Sequence, residues 1–332
     1  MKRCTLTLIV AVVLLLGAML VSASDKKKPV ADPRLPLMLD EVHYYLTDPA
    51  SAIRFFETHF GAHELTHPGS LPLRFITMLG LEPGEGVIDF SPPGPYDGFE
   101  EPTARRWSGD FIAPAKNLAP RYGVFWLGLR TTSLKKTMEK LESRGVAIQE
   151  RHMILPGDYR AKAATVYGPD FNLLTIVERP KRHGDVGEYG LDHVQLLVKN
   201  VEANAHFLED VFSAQVASRS EHTAIVTIAD FTVVLSDPEA LELNPADVQE
   251  HVATHIRFEA DHLSFLFSDL RPAVDAAIAK GRKFAVMPRR MEYYGKATPY
   301  TYAVIDSPDG LPFELISEDG RTGPRTHYVP GK

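Results

Sequence analysis

The sequence predicts an α+β protein of two domains, each built from two βαβββ modules. Three observations predict it. An apolar strand runs into an amphipathic helix four times along the chain. Short β-like segments separated by turn residues follow the helices. A polar, basic stretch at 181–189 separates two halves of similar length, 37–180 and 190–319. Recurrence of a whole strand–helix–strand order marks a duplicated structural unit rather than a chance pattern.

The first strand covers 38–46 and leads to a helix at 49–60. Asp48 suits its cap, Pro49 its first turn and Gly61 its end, with Ile53, Phe56 and Phe60 as the buried stripe. The second strand, 124–130, precedes a helix at 133–144 that turns Leu134, Met138 and Leu141 inward and stops at Gly145. The third, 191–198, precedes a helix capped by Asn200, with Val201, Ala205, Leu208 and Phe212 facing in. Its strands follow at 214–218, 223–228 and 232–236. The fourth, 262–267, precedes a helix after Asp269 that ends at Gly281, with Leu270, Val274 and Ile278 as its stripe. Strands at 283–287, 300–305 and 312–317 complete it. Units two and four turn into their last strands through Gly168-Pro169-Asp170 and Ser307-Pro308-Asp309-Gly310.

The 332 residues suffice for two cores, and 44% hydrophobic with 24% charged residues excludes a disordered chain, a coiled coil and a polytopic membrane protein. Residues 1–23 read as a signal peptide: Lys2 and Arg3 are followed by an uncharged apolar run to Val21, then Val21-Ser22-Ala23 as the cleavage site. An uncleaved anchor is the alternative, since 6–23 could almost span a bilayer. Either way the body is expected to be exported, periplasmic or secreted. Residues 24–36 form a solvated linker and 320–332 an irregular tail. Removing Lys2 and Arg3 leaves 34 basic and 43 acidic residues, a net charge of −9 that opposes nucleic acid and anionic membranes as partners. The oligomeric state is not specified. Cys4 is the only cysteine and precedes the apolar run, so a metal site in the body must use His, Asp and Glu. Residues 91–120, rich in proline and lacking apolar periodicity, form a long excursion between units one and two.

Strand alternation isolates the candidate ligands. His193 and Gln195 share one face, opposite Val194, Leu196 and Val198; His262 and Ser264 share one face, opposite Leu263, Phe265 and Phe267. Glu314 stands on the reverse face from the packing residues Phe313 and Leu315. Two imidazoles and one carboxylate suit Fe(II), and less exclusively Mn(II), Zn(II) or Co(II). In the first half Trp126 stands where unit two would have its His and Thr175 where unit four has Glu314. His43, alone in unit one, is expected to be structural, so His43→Ala should leave metal content unchanged. His59, His63 and His67 read as surface residues, because Gly61 breaks the helix between them. His251 and His255 read as part of a polar connector.

The stretch Gly190-Leu191-Asp192-His193-Val194-Gln195-Leu196-Leu197-Val198 resembles the opening of a vicinal oxygen chelate module, the superfamily of glyoxalase I, bleomycin-resistance proteins and extradiol dioxygenases. Asp261-His262-Leu263-Ser264-Phe265 resembles a second opening, and Ser307 to Asp309 through Glu314 a module end. The resemblance implies cupped mixed sheets around one divalent metal, with His193, His262 and Glu314 as ligands and a metal-free N-terminal half. The first activity it implies is an Fe(II)-dependent extradiol-type dioxygenase acting on a small oxygenated substrate, aromatic ones included. Tyr302 is then a candidate catalytic hydrogen-bond donor, and Gln195, Ser264 and Tyr293 candidate pocket residues. A glyoxalase-like lyase or isomerase and a non-catalytic small-molecule-binding protein are the alternatives.

Overall fold

The computed structural model describes residues 32–45, 49–65, 74–77, 87–91, 120–154, 161–169, 172–180, 188–229, 231–250, 260–291 and 299–318. The leader, Tyr293, His251, His255, most of the 91–120 excursion and the tail lie outside them. Among the described residues no helix is long and apolar enough to cross a membrane.

The first module comprises β1 (Met38–Tyr45), α1 (Pro49–Phe60), β2 (His63–Leu65), β3 (Arg74–Thr77) and β4 (Val87–Ser91). The second comprises β5 (Gly123–Thr131), α2 (Leu134–Ser143), β6 (Ile148–Ile154), β7 (Lys162–Tyr167) and β8 (Leu173–Glu178). The third comprises β9 (Tyr189–Leu197), α3 (Val201–Phe212), β10 (Gln215–Arg219), β11 (Thr223–Ile228) and β12 (Phe231–Ser236). The fourth comprises β13 (Ala260–Leu266), α4 (Arg271–Ala279), β14 (Val286–Met291), β15 (Tyr300–Asp306) and β16 (Pro312–Glu318). Each module is thus βαβββ. The punctuation works locally: Asn200 caps α3 by accepting from the Ala203 N–H at 2.8 Å, and Gly61, Gly145 and Gly281 end helices with positive φ.

The modules build two eight-stranded sheets, but not from the two halves of the chain. One sheet runs β14-β15-β16-β13-β1-β4-β3-β2 and the other β10-β11-β12-β9-β5-β8-β7-β6. Module four therefore joins module one, and module three joins module two. The expected grouping of 37–180 against 190–319 does not describe either sheet. The joints are antiparallel pairs of first strands, β1 with β13 and β5 with β9. A first strand flanked inside its module by the last strand leaves its other edge open. Closing that edge satisfies a row of backbone donors and acceptors, and any other module can supply the partner.

One continuous core lies against the helix-bearing faces of both sheets: Val42, Leu263, Phe265 and Phe313 from the first, Leu127, Val194, Leu196 and Val233 from the second. Phe212 of α3 packs on Phe265, Phe267 and Phe313, with ring centroids 5.0–6.4 Å apart. Each such fully buried aromatic contributes about 1.5–3 kcal/mol of transfer free energy. Of the stripe expected on α4, Leu270, at its N-cap, and Val274 are buried, but Ile278 is exposed, and Ala273 and Ala277 complete the inward face. The small alanines on that face let α4 approach α3.

Candidate metal centre

On the opposite face of the first sheet the strands present polar groups. β1 carries a register shift between Leu39 and Glu41 against β13. The extra residue, Asp40, reverses the alternation: Leu39 joins the core, yet Glu41 and His43 leave it, while Val42 and Tyr44 stay in it. Glu41 then pairs with Ser264 and His43 with His262, and on the far side of β13 Ser264 pairs with Glu314 of β16.

The result is one cluster, Glu41, His262 and Glu314, whose ligand atoms all lie within 4.8 Å of one another. Glu41 is buried, and His262 and Glu314 are partly exposed. The Nε2 of His262 is 3.8 Å from Oε1 of Glu41, and the Ser264 hydroxyl donates to Oε2 of Glu314 at 2.8 Å. Donors bonded to one ion at about 2.0–2.2 Å sit roughly 3–4 Å apart. Small side-chain adjustments therefore bring this set around a single cation, which would also relieve the repulsion between the two carboxylates. His43 stacks on His262 with ring centroids 4.7 Å apart and planes 25° apart.

His193 is not part of this cluster. It lies on β9 in the other sheet, opposite Gly128, with its ring fully buried and Nδ1 2.9 Å from Oδ2 of Asp192. The Arg179 guanidinium stands 3.6 Å from the other oxygen of that buried carboxylate. The positions around His193 lack the ligand types: Trp126 stands opposite Gln195 as Glu41 does opposite Ser264, and Val234 takes the place of Glu314. Gln195 lies with His193 on β9 of the other sheet, where its Nε2 donates to Ser236 at 2.9 Å. Ser264 does stand at the cluster. Tyr302 lies on the same face as Glu314 but is 2% exposed within an apolar patch of Met38, Leu266, Val286 and Ile316, and it is two residues from Val304, the register partner of Glu314.

Glu41 was the residue the sequence reading passed over, and a spacing would have found it. Trp126, His193 and His262 each precede the residue before or at their helix cap (Ser133, Asn200 and Asp269) by seven positions; seven before Asp48 is Glu41, not His43.

The family model for the Glyoxalase/Bleomycin resistance protein/Dioxygenase superfamily matches residues 190–315. Over those residues, which hold the third and fourth modules, the chain is similar to this superfamily. The superfamily match includes His262 and Glu314, while Glu41 comes from module one, outside it. Glyoxalase I of Saccharomyces cerevisiae is 25% identical over 211 residues, 59% of this chain and 62% of that protein, so this chain spans less than two thirds of that relative. The crystal structure of glyoxalase I from Zea mays superposes with a TM-score of 0.59 at 14% identity, covering 84% of this chain and 92% of that one. A candidate dioxygenase from Bacillus subtilis gives 0.56 at 14% identity, covering 87% of each chain. These structural likenesses show a shared fold.

Proposed function

We propose that this protein is a metal-dependent lyase or isomerase of glyoxalase type that acts on a small oxygenated substrate outside the cytoplasm. The observation that carries the proposal is the meeting of Glu41, His262 and Glu314 from modules one and four. The Fe(II) dioxygenase reading drew on two imidazoles and one carboxylate; with His193 in the other sheet, that premise is gone. One imidazole with two carboxylates is a harder donor set, suited to Zn(II), Mn(II) or Co(II).

A bound divalent ion would supply Lewis acidity toward a substrate oxygen, making the adjacent C–H more acidic. The chain's own residues would do the rest. His262 and the carboxylates hold the ion, Ser264 orients Glu314, and one of the two carboxylates takes the proton from one substrate carbon and returns it to its neighbour. Such an isomerisation moves a proton internally and needs no external oxidant or reductant. Similarity to a protein named glyoxalase I supports an α-oxoaldehyde, free or as a thiol adduct, as the first substrate to try. The basic-then-apolar run at 1–23 supports export.

The test combines elemental analysis of the purified protein with turnover of an α-oxoaldehyde and a thiol in D2O. About one equivalent of metal, turnover, and loss of turnover in Glu41→Gln and Glu314→Gln are expected. Oxygen uptake with a catechol would instead restore the dioxygenase, and absence of retained metal would favour a non-catalytic binding protein.

A further inference from the structure

We propose that His43 is a positioning residue of the metal centre: its imidazole, stacked on that of His262, sets the plane in which His262 presents its nitrogen to the ion. The proposal rests on the metal-centre reading above.

His43 and His262 are cross-strand partners, directly opposite on β1 and β13, and their rings lie 4.7 Å apart at 25°. His43 is not among the residues whose ligand atoms converge, so any effect it has on the ion passes through His262. A strand fixes where a His Cβ stands, but rotation about the bond to the ring is soft, with broad wells. The lone pair of an imidazole nitrogen lies in the ring plane, so a ligand His needs that rotation held. A stacked ring does so over its whole surface. His43 is itself buried, at 5% exposure, and thus a firm support. The plane it selects is productive, because Nε2 of His262 stands 3.8 Å from the carboxylate of Glu41.

The molecule contains its own control. The second sheet has the same pair of strand positions, with Gly128 opposite His193. There a Cβ on Gly128 would fall within 3.0 Å of three atoms of the His193 ring. The imidazole has moved into the space that a cross-strand side chain would take, and it bonds Asp192 beside it. Glycine opposite the imidazole accompanies a ring laid over the strand and turned to a local carboxylate. Histidine opposite it accompanies a ring stacked and facing Glu41.

The experiment measures Zn(II) and Co(II) affinity of the full chain by calorimetry, together with the visible absorption of the Co(II) form. It compares wild type with His43→Gly, His43→Leu and His43→Phe. Removing partners that orient a ligand typically costs 10- to 100-fold in metal affinity. His43→Gly should bind at least about 10-fold more weakly and shift the Co(II) bands. His43→Leu keeps bulk without a flat ring and should resemble His43→Gly; it serves alone if the glycine variant does not fold. His43→Phe restores a flat ring without nitrogen and should bind within about threefold of wild type, well inside the loss that an orienting partner accounts for. Wild-type affinity in His43→Leu overturns the proposal. So does a loss in His43→Phe as large as in His43→Leu. If the wild type binds neither ion, the metal-centre reading itself fails, and with it this inference.

Discussion

The imidazole of His193 occupies the space that any side chain on Gly128 would need. Nδ1, Cε1 and Cγ of the ring all lie within 3.0 Å of a Cβ built there, and the ring is completely buried. It cannot swing aside into solvent. Gly128→Ala should therefore lower stability by about 1–3 kcal/mol, the usual cost of overpacking a filled interior. Urea unfolding would measure this, and an unchanged midpoint would mean that the ring is free to move.

The same geometry separates two histidines that look alike in sequence. His262→Ala should abolish stoichiometric metal binding with little effect on the fold, because the apolar face of β13 is untouched. His193→Ala should keep the metal and lose stability by about 2–3 kcal/mol, since it opens a cavity and removes the imidazole from buried Asp192. Elemental analysis and a denaturation curve on both variants test the pair; metal loss in His193→Ala would return His193 to the centre.

Ser264 holds Glu314 by a 2.8 Å hydrogen bond. Ser264→Ala should weaken metal binding by about 10-fold while costing roughly 1 kcal/mol or less in stability. Titration with Zn(II) would show it, and equal affinity would mean that Glu314 is oriented without the serine.

Acid should loosen the joint between α3 and α4. Burial pushes the Asp210 carboxyl upward, but hydrogen bonds and charge from Arg282 and Lys280 outweigh it and hold it below its ordinary value of 3.8. A depressed folded value stabilises the folded state above the ordinary carboxylate range, and that stabilisation is lost as pH falls through the folded value. Wild type should exceed Asp210→Asn in stability by a constant margin near neutrality, and the margin should close only in strong acid. A margin that persists there would show that charge is not what Asp210 contributes.

Much of the fold was legible in the chain. The four helices begin and end within a residue or two of their caps and glycines, because capping and φ > 0 are local constraints. The inward stripes of α1, α2 and α3 follow from period alone; α4 keeps Leu270 and Val274 inside and exposes only Ile278 of its expected stripe. The last module's first return strand, expected at 283–287, forms later, at Val286–Met291, where it can pair with β15.

Two of the three converging groups of the centre were legible as well. His262 and Glu314 were singled out because each stands on the reverse face of a strand whose other face is apolar. Glu41 and His43 could not be ranked by alternation, since residues two apart share a face and the bulge at Asp40 reverses the count between Leu39 and Glu41. His193 and His262 have equivalent local surroundings, each at the head of a module, so nothing local tells them apart.

What the sequence by itself determined, then, is four βαβββ units, their helix faces and two of three converging groups. What only the tertiary structure decided is which units share a sheet. Every module offers the same open edge to every other, so strand pairing across the whole length of the chain is settled by how the helices and edges pack together. That choice sets β13 beside β1 rather than β9, and so gives His262 the carboxylate of Glu41 and leaves His193 over Gly128.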